Sequence, residues 1–423
     1  MNYILQNARV IDPSQNLDAV TDIGVLDGRI ADPMRMPSDA ERIDLSGKVA
    51  APGFIDLHVH LRHPGKTQAE TIHTGTLAAA AGGFTTIVAM PNTSPAADNP
   101  GTIHYVLTHA EREGVVKVLP CGAMTKNLEG KEMSAIGSLK AAGAVALSDD
   151  GKCVQDHQLM RHIIHYSNTF DLPILDHCGD KALEAEGVMN EGKWSVLLGM
   201  RGMPGEAEEL MIYRDIILAR LTGGKIHIQH VSAKGSVEII RRARKEGIRI
   251  TGEATPHHIA LTDVEIKKFD SNYKMNPPLR SEEDRQALLN GLADDTLTVI
   301  ATDHAPHTET EKTVEFDYAP FGIIGLETAV QICMTELYHK GILSLPHLIS
   351  KWTAGPAEVL GMDIGTLKIG KPADITILDP DRETVVDPSK FKSKSRNTPF
   401  GGYRAKGCTA GTIVNGNFVF RDF

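Results

Sequence analysis

The segment GFIDLHVHLRHPG, Gly53 to Gly65, closes an apolar run with His58 and His60 at positions i and i+2. On a β-strand that spacing puts both imidazoles on one face. A buried imidazole is costly unless its nitrogens are occupied. The pair is therefore either hydrogen-bonded inside a core or converging on a shared metal ion. Further apolar runs end in Asp149-Asp150 (AVALSDD), His177 (LPILDH), His230 (KIHIQH) and Asp303 (LTVIATD). Imidazole and carboxylate together suit zinc, with cobalt or manganese as substitutes. Histidines 58, 60, 177 and 230 with the aspartates exceed one catalytic zinc, which takes three protein ligands and keeps an open position. The count fits two ions sharing a carboxylate. Such pairs, about 3.5–4 Å apart, acidify bound water and polarise a carbonyl. Either Asp149 or Asp150 could be the ligand of the fourth run.

These side chains need a scaffold that brings distant strand ends together. From about residue 50 to 360, short apolar runs alternate with longer segments apolar at three- and four-residue spacing. The runs are GFIDLHVH, FTTIVAM, VKVLPCG, AVALS, LPILDH, KIHIQH, IRITGE and LTVIATD. The alternation predicts parallel strands covered by helices. Eight such units predict a (β/α)8 TIM-type barrel over residues 51–364, with His and Asp at the C-terminal strand ends where barrel enzymes build their sites. A doubly wound open sheet fits the same alternation. Residues 1–50 and 365–423 read differently, as short alternating strands (YILQNARVID, DIGVLDGRI, ADITILD, GTIVNGNFVF) with Gly, Asn and Asp turns. They are expected to form one small composite β domain from both chain ends.

Composition narrows the function class. A chain of 423 residues predicts one large domain and a smaller one. A formal net charge of −10 argues against a general nucleic-acid binder. No run of about eighteen apolar residues predicts a membrane span, and MNYILQNARVIDP lacks the pattern of a secretory signal. Five scattered cysteines without a CxxC suggest reduced thiols in a cytoplasmic protein. The stretch Pro388 to Arg396 reads as a solvated basic loop. His304 to Gly322 reads as a long βα loop with no core of its own, ordered by ligand.

The motifs GFIDLHVHLRHPG, MPNTSP, SDDG, LDHC, HIQHVS, NPPLR and ATDHAPH together resemble the dihydroorotase family of the amidohydrolase superfamily, along essentially the whole chain. The resemblance implies reversible, metal-dependent closure of N-carbamoyl-L-aspartate to L-dihydroorotate, a step of pyrimidine synthesis. It assigns His58, His60 and Asp303 to the more buried of two zinc ions, His177 and His230 to the second, and Asp150 to the position where many relatives carry a carboxylated lysine. Asp303 is implied as the catalytic base and then acid. Arg62, Asn92 and His307 are implied at the substrate carboxylate and Asn276 at the ring edge. No ligand role falls to His63, His257, His258 or His304, and His227 is expected to face away from the site. A homo-oligomer, with a dimer favoured, is expected, and aspartate carbamoyltransferase is a candidate partner. The rival readings are a dihydropyrimidinase or allantoinase, which would not need Arg62 for a ring carboxylate, and a non-catalytic scaffold homologue, which should have lost ligands.

Overall fold

The computed structural model describes residues 2–423. The first strands are β1 (Tyr3–Asp12), β2 (Leu17–Leu26), β3 (Arg29–Ala31), β4 (Glu41–Asp44) and β5 (Val49–Pro52). The chain then lays down β6 (Phe54–Val59), β7 (Phe84–Ala89), β8 (Lys117–Ala123), β9 (Ala146–Ser148) and β10 (Ile174–Asp176). A small parallel ribbon, β11 (Met189–Asn190) with β12 (Gly202–Met203), interrupts the series. The series resumes with β13 (Ile226–Ile228), β14 (Ile250–Ala254) and β15 (Val299–Ile300).

Strands β6 to β10 and β13 to β15 follow one another in chain order as a single eight-stranded parallel sheet. Its ends meet through a parallel bridge between Val59 and His304, where His60 N donates to His304 O at 2.8 Å. The sheet is thus a barrel, and the open-sheet alternative is set aside. Helices such as Ile72–Gly82, Pro100–Glu113 and Glu206–Thr222 follow the strands. With both faces covered, the strands are almost wholly buried, β6 and β7 at every residue, which is why they read as apolar runs without alternation. One cluster joins strands to helices through Phe54, Ile87, Ile174, Ile226 and Trp352. Another packs Ile55, Leu57, Val88, Leu175 and Val299.

Both chain ends build a second sheet. Strands β16 (Ile375–Val385), β17 (Arg404–Val414) and β18 (Asn417–Arg421) join in the order β18-β17-β16-β5-β1-β2-β3, with β4 beside β1. Its core includes Leu5, Val10, Val25, Ile375, Ile377 and Ile413. Threonines stitch it to the barrel: Thr376, Thr409 and Thr412 donate their hydroxyls to Gly83 O (2.6 Å), Gly82 O (3.0 Å) and Ala80 O (2.6 Å). These carbonyls lie at the end of the helix Ile72–Gly82, where Ala80 O also accepts from Gly83 N and the last carbonyls have no intrahelical partner.

Two loops are tied down more closely than their composition suggests. In the stretch Pro388 to Arg396 the basic residues Lys390, Lys392, Lys394 and Arg396 are exposed as expected, but Ser393 and Ser395 between them are buried. Ser393 Oγ donates to Glu70, and the Lys392 and Ser393 amides donate to Glu327. His304 to Gly322 has no core of its own but is anchored in a neighbouring one: Phe316 packs into a cluster whose other members, such as Tyr273, Met275, Ile323 and Phe400, lie outside the segment. Lys312 is buried there and donates to Ser271 O (2.8 Å) and Pro320 O (2.9 Å). In both segments particular charged or hydroxyl side chains satisfy buried backbone and carboxylate groups, so a polar composition did not mean exposure at every position. Among the described residues, no helix is long and apolar enough to cross a membrane.

Candidate metal centre

The strands deliver their polar ends to one place. His58 lies within β6 and His60 just past it, while Asp150, His177, His230 and Asp303 follow β9, β10, β13 and β15. All six are between 0% and 7% exposed, so their charges must be balanced locally. Asp303 Oδ1 stands 3.1 Å from His60 Nε2 and 3.4 Å from His58 Nε2. Asp150 Oδ1 faces His58 Nε2 (3.3 Å), His177 Nδ1 (3.5 Å) and His230 Nε2 (3.7 Å), while its Oδ2 is 3.3 Å from His60 Nε2. His177 Nδ1 and His230 Nε2 are 2.9 Å apart.

This arrangement passes a test for metal binding. His58 Nε2 and Asp150 Oδ1 are fully buried and have no hydrogen-bond partner. Orphaned polar atoms of this kind cost about 1–3 kcal/mol each, more when charged. The donors instead surround shared points, and two overlapping triads, His58–His60–Asp303 and His58–Asp150–His230, each keep their donor atoms within 4.8 Å of one another. Ions bound at about 2.0–2.2 Å from nitrogen and oxygen would occupy those points. Burial alone would raise the Asp303 carboxyl pKa, but His58 and His60 outweigh it and hold it below the usual carboxylate range. The same balance, dominated among the attractions by His58, holds Asp150 low.

The adjacent carboxylates part company. Asp149 accepts from the backbone N of Thr125 (3.0 Å) and from its hydroxyl, and burial raises its pKa to about 6. Asp150 alone of the two enters the cluster. Asn92 is also at the cluster: its Oδ1 accepts from His60 Nδ1 at 2.8 Å and its Nδ2 donates to Asp150 Oδ2 at 3.4 Å. An amide oxygen only accepts, so the proton of His60 sits on Nδ1 and Nε2 presents its lone pair to the centre.

Glu253, in β14, carries no obvious signal in the sequence. It is wholly buried and accepts from His58 Nδ1 (3.0 Å), His227 Nε2 (3.0 Å) and the backbone N of His230 (3.2 Å). Burial opposes its charge, yet the bonds from His227 and His58 outweigh that and lower its pKa to about 2. It thereby orients one expected ligand by the ring and another by the backbone. His227, expected to face away, reaches this carboxylate, with its Nδ1 on Thr251 Oγ1 at 2.8 Å. His257 is buried with Nε2 unpartnered, and burial lowers its pKa to about 4.

Arg62 and His307 form a second group. Arg62 Nε donates to Pro306 O at 3.1 Å, and its guanidinium lies 3.5 Å from His307 Nε2. His307 Nε2 donates to Phe321 O at 2.8 Å, and Asn397 Oδ1 accepts from His307 N at 3.1 Å. Burial, then Arg62 and Lys312, lowers the His307 pKa to about 3, so the ring is neutral beside the guanidinium. Arg62, His230 and Asp303 all have positive φ (55°, 33° and 48°), a costly conformation that recurs where function requires it. Asn276 is half-buried, and among the described residues no hydrogen bond links it to either group.

Comparison with known proteins gives the same picture along the chain. Residues 47–236 match a family described as dihydro-orotase-like, and residues 330–420 one described as the amidohydrolase family. A dihydroorotase of Endomicrobium trichonymphae is 50% identical, covering 100% of both chains. A dihydroorotase of Thermoanaerobacter sp. (strain X514) is 49% identical over 100% of this chain and 98% of that protein. Among solved structures, the L-hydantoinase (dihydropyrimidinase) from Arthrobacter aurescens superposes with a TM-score of 0.89 at 26% identity, covering 100% of this chain and 97% of the other. The six converging His and Asp side chains thus stand in a scaffold shared with cyclic-amide hydrolases, and the chain belongs to the dihydroorotase family of the amidohydrolase superfamily.

Proposed function

We propose that this chain is a dihydroorotase, which interconverts L-dihydroorotate and N-carbamoyl-L-aspartate. The observation that carries this reading beyond generic amide hydrolysis is the partly buried Arg62–His307 group beside the His/Asp cluster. A guanidinium offers paired donors to a ring carboxylate. His58, His60 and Asp303 would hold one zinc ion and His177 and His230 a second, with Asp150 between them. When bound, divalent ions supply a water that deprotonates near neutral pH and polarisation of the amide carbonyl.

The protein's own groups do the rest. Arg62 and Asn92 orient the carboxylate, with the neutral His307 ring packed beside the guanidinium, and Asn276 meets the ring edge. In the hydrolytic direction the oxygen of water bonds to the ring carbonyl carbon and the C–N bond breaks. An Asp303 carboxylate oxygen takes the proton from the attacking water and returns it to the departing ring nitrogen. Cyclisation runs the same transfers backwards. We read residues 51–364 as the catalytic unit, braced by residues 1–50 and 365–423.

Two copies are expected to associate, because Leu210, Tyr213, Ile217 and Leu221 expose an apolar stripe along one helix (52%, 55%, 47% and 65% exposed). Five buried free cysteines suit a reducing, cytoplasmic setting, and aspartate carbamoyltransferase, which makes N-carbamoyl-L-aspartate, is the partner class that this chemistry favours. Purified protein reconstituted with zinc is expected to turn over dihydroorotate and to lose activity on chelation. Preference for uncarboxylated hydantoin or dihydrouracil would replace this reading with that of a dihydropyrimidinase.

A further inference from the structure

Outside the buried centre, His63, His109 and Glu113 bring one donor atom each to within 4.8 Å of the others. His63 follows His58 and His60 on the loop after β6 that also carries Arg62, whereas His109 and Glu113 lie four apart at the end of the helix Pro100–Glu113. That spacing places both on one helix face. His109 Nδ1 is already 2.7 Å from Glu113 Oε1, and the His63 and His109 rings are 4.9 Å apart. All three residues are partly exposed, so an ion can reach them without opening the barrel. We propose that His63, His109 and Glu113 form a peripheral site for a divalent transition-metal ion, zinc, copper or nickel, separate from the buried centre.

Two imidazoles and one carboxylate are the ligand types these borderline ions prefer. Three protein ligands leave further positions for water, as in an open zinc site. Around an ion at about 2.0–2.2 Å the donors would stand roughly 3.4 Å apart, so His109 and Glu113 would part slightly from their 2.7 Å contact, an adjustment that rotation of partly exposed side chains can supply. The helix C-terminus adds favourable negative potential for a cation. Competition is modest: His63 Nε2 contacts Tyr105 Oη at 2.9 Å, and its Nδ1 meets Ile72 N at a marginal 3.5 Å. An ion here would tether the Arg62 loop to the helix. It is therefore a built-in contact between ambient transition metal and the segment that grips the substrate.

The test reads metal binding and is independent of which substrate the enzyme turns over. Protein with its buried centre filled is dialysed against zinc, and metal per chain is measured for wild type, His109→Ala and His63→Ala. The wild type is expected to hold one equivalent more than either variant. Equal content in all three would overturn the proposal. Copper(II) added to the same holoprotein should give an electron paramagnetic resonance signal with coupling to two imidazole nitrogens, absent in His109→Ala; a signal that persists there would also overturn it. Should His63→Ala fail to fold, His109→Ala together with Glu113→Gln, expected to weaken the extra binding at least tenfold, decides the matter. Unaltered binding in both would refute it.

Discussion

Asp303 has two jobs that one substitution can separate from folding. Its carboxylate faces His58 and His60, and Asn keeps its shape while losing the ability to carry a proton. Asp303→Asn should lower kcat by about 10²–10⁴ with unchanged circular dichroism; near-normal turnover would remove Asp303 from proton transfer. Arg62 reads the substrate rather than the bond that breaks. Arg62→Lys should raise KM for dihydroorotate strongly and leave any turnover of uncarboxylated cyclic imides nearly untouched, since an ammonium cannot reproduce paired guanidinium bonds. Equal losses on both substrate types would show that Arg62 does not meet the carboxylate. Glu253 acts one layer further out. Because it accepts from His58 and the His230 backbone, Glu253→Gln should weaken retention of the metal by about 10–100-fold, measured by competition with a chelator. Retention equal to wild type would confine Glu253 to a packing role.

The loop from His304 to Gly322 shows how an element can be ordered by charge. Lys312 is buried and bonded to backbone carbonyls, and burial, followed by the nearby Lys274, lowers its pKa to about 7. The folded pKa lies below the unfolded value, so between about pH 7 and pH 10.4 the unfolded chain holds a proton that the folded one has released. Stability from this group therefore rises with pH across that window. Lys312→Met cannot make this gain. Its destabilisation, measured by denaturant unfolding, should grow between pH 7 and pH 9.5 by on the order of 2 kcal/mol. A pH-independent difference would place Lys312 in contact with water. The loop's other anchor is Asn397, which accepts from His307 N and donates to Ala305 O and Gly322 O at 3.0 and 3.1 Å.

At the scale of the whole molecule, the terminal sheet is a brace for the barrel's first strand–helix unit. Thr376 Oγ1 accepts from Phe54 N at 3.1 Å and donates to Gly83 O, so one hydroxyl serves both ends of that unit. Thr376→Val is nearly isosteric and strands both backbone groups, each costing about 1–3 kcal/mol when buried and unpaired. It should lower the thermal midpoint while sheet and barrel still unfold in one transition. Two separated transitions would show that the sheet is an independent unit. The same integration explains why β5, a four-residue strand, matters: it pairs with β1 on one side and with β16 on the other.

Much of this protein was legible because its chemistry sits at punctuation marks. Continuous apolar runs ending in His or Asp mark strands buried on both faces, and the i, i+2 spacing of His58 and His60 needs no partner to be read. Local patterns of that kind determined the barrel, the composite sheet and the expected ligands. Other features are decided only in three dimensions. Asp149 and Asp150 are chemically identical neighbours, and the choice between them depends on Thr125 waiting for one of them. Glu253 is an ordinary strand residue until His58, 195 positions away, donates to it. His227 looked turned away because a period of two was carried past the end of a three-residue strand, where His230 leaves the strand with φ of 33°. The basic residues of Pro388 to Arg396 are solvated as their composition suggests, yet the buried carboxylate of Glu70 recruits Ser393 from between them as a donor. Periodicity and residue type are local properties and survive in the sequence. Hydrogen-bond partnership between distant strand ends is a property of the closed barrel, and it exists only once the chain has folded.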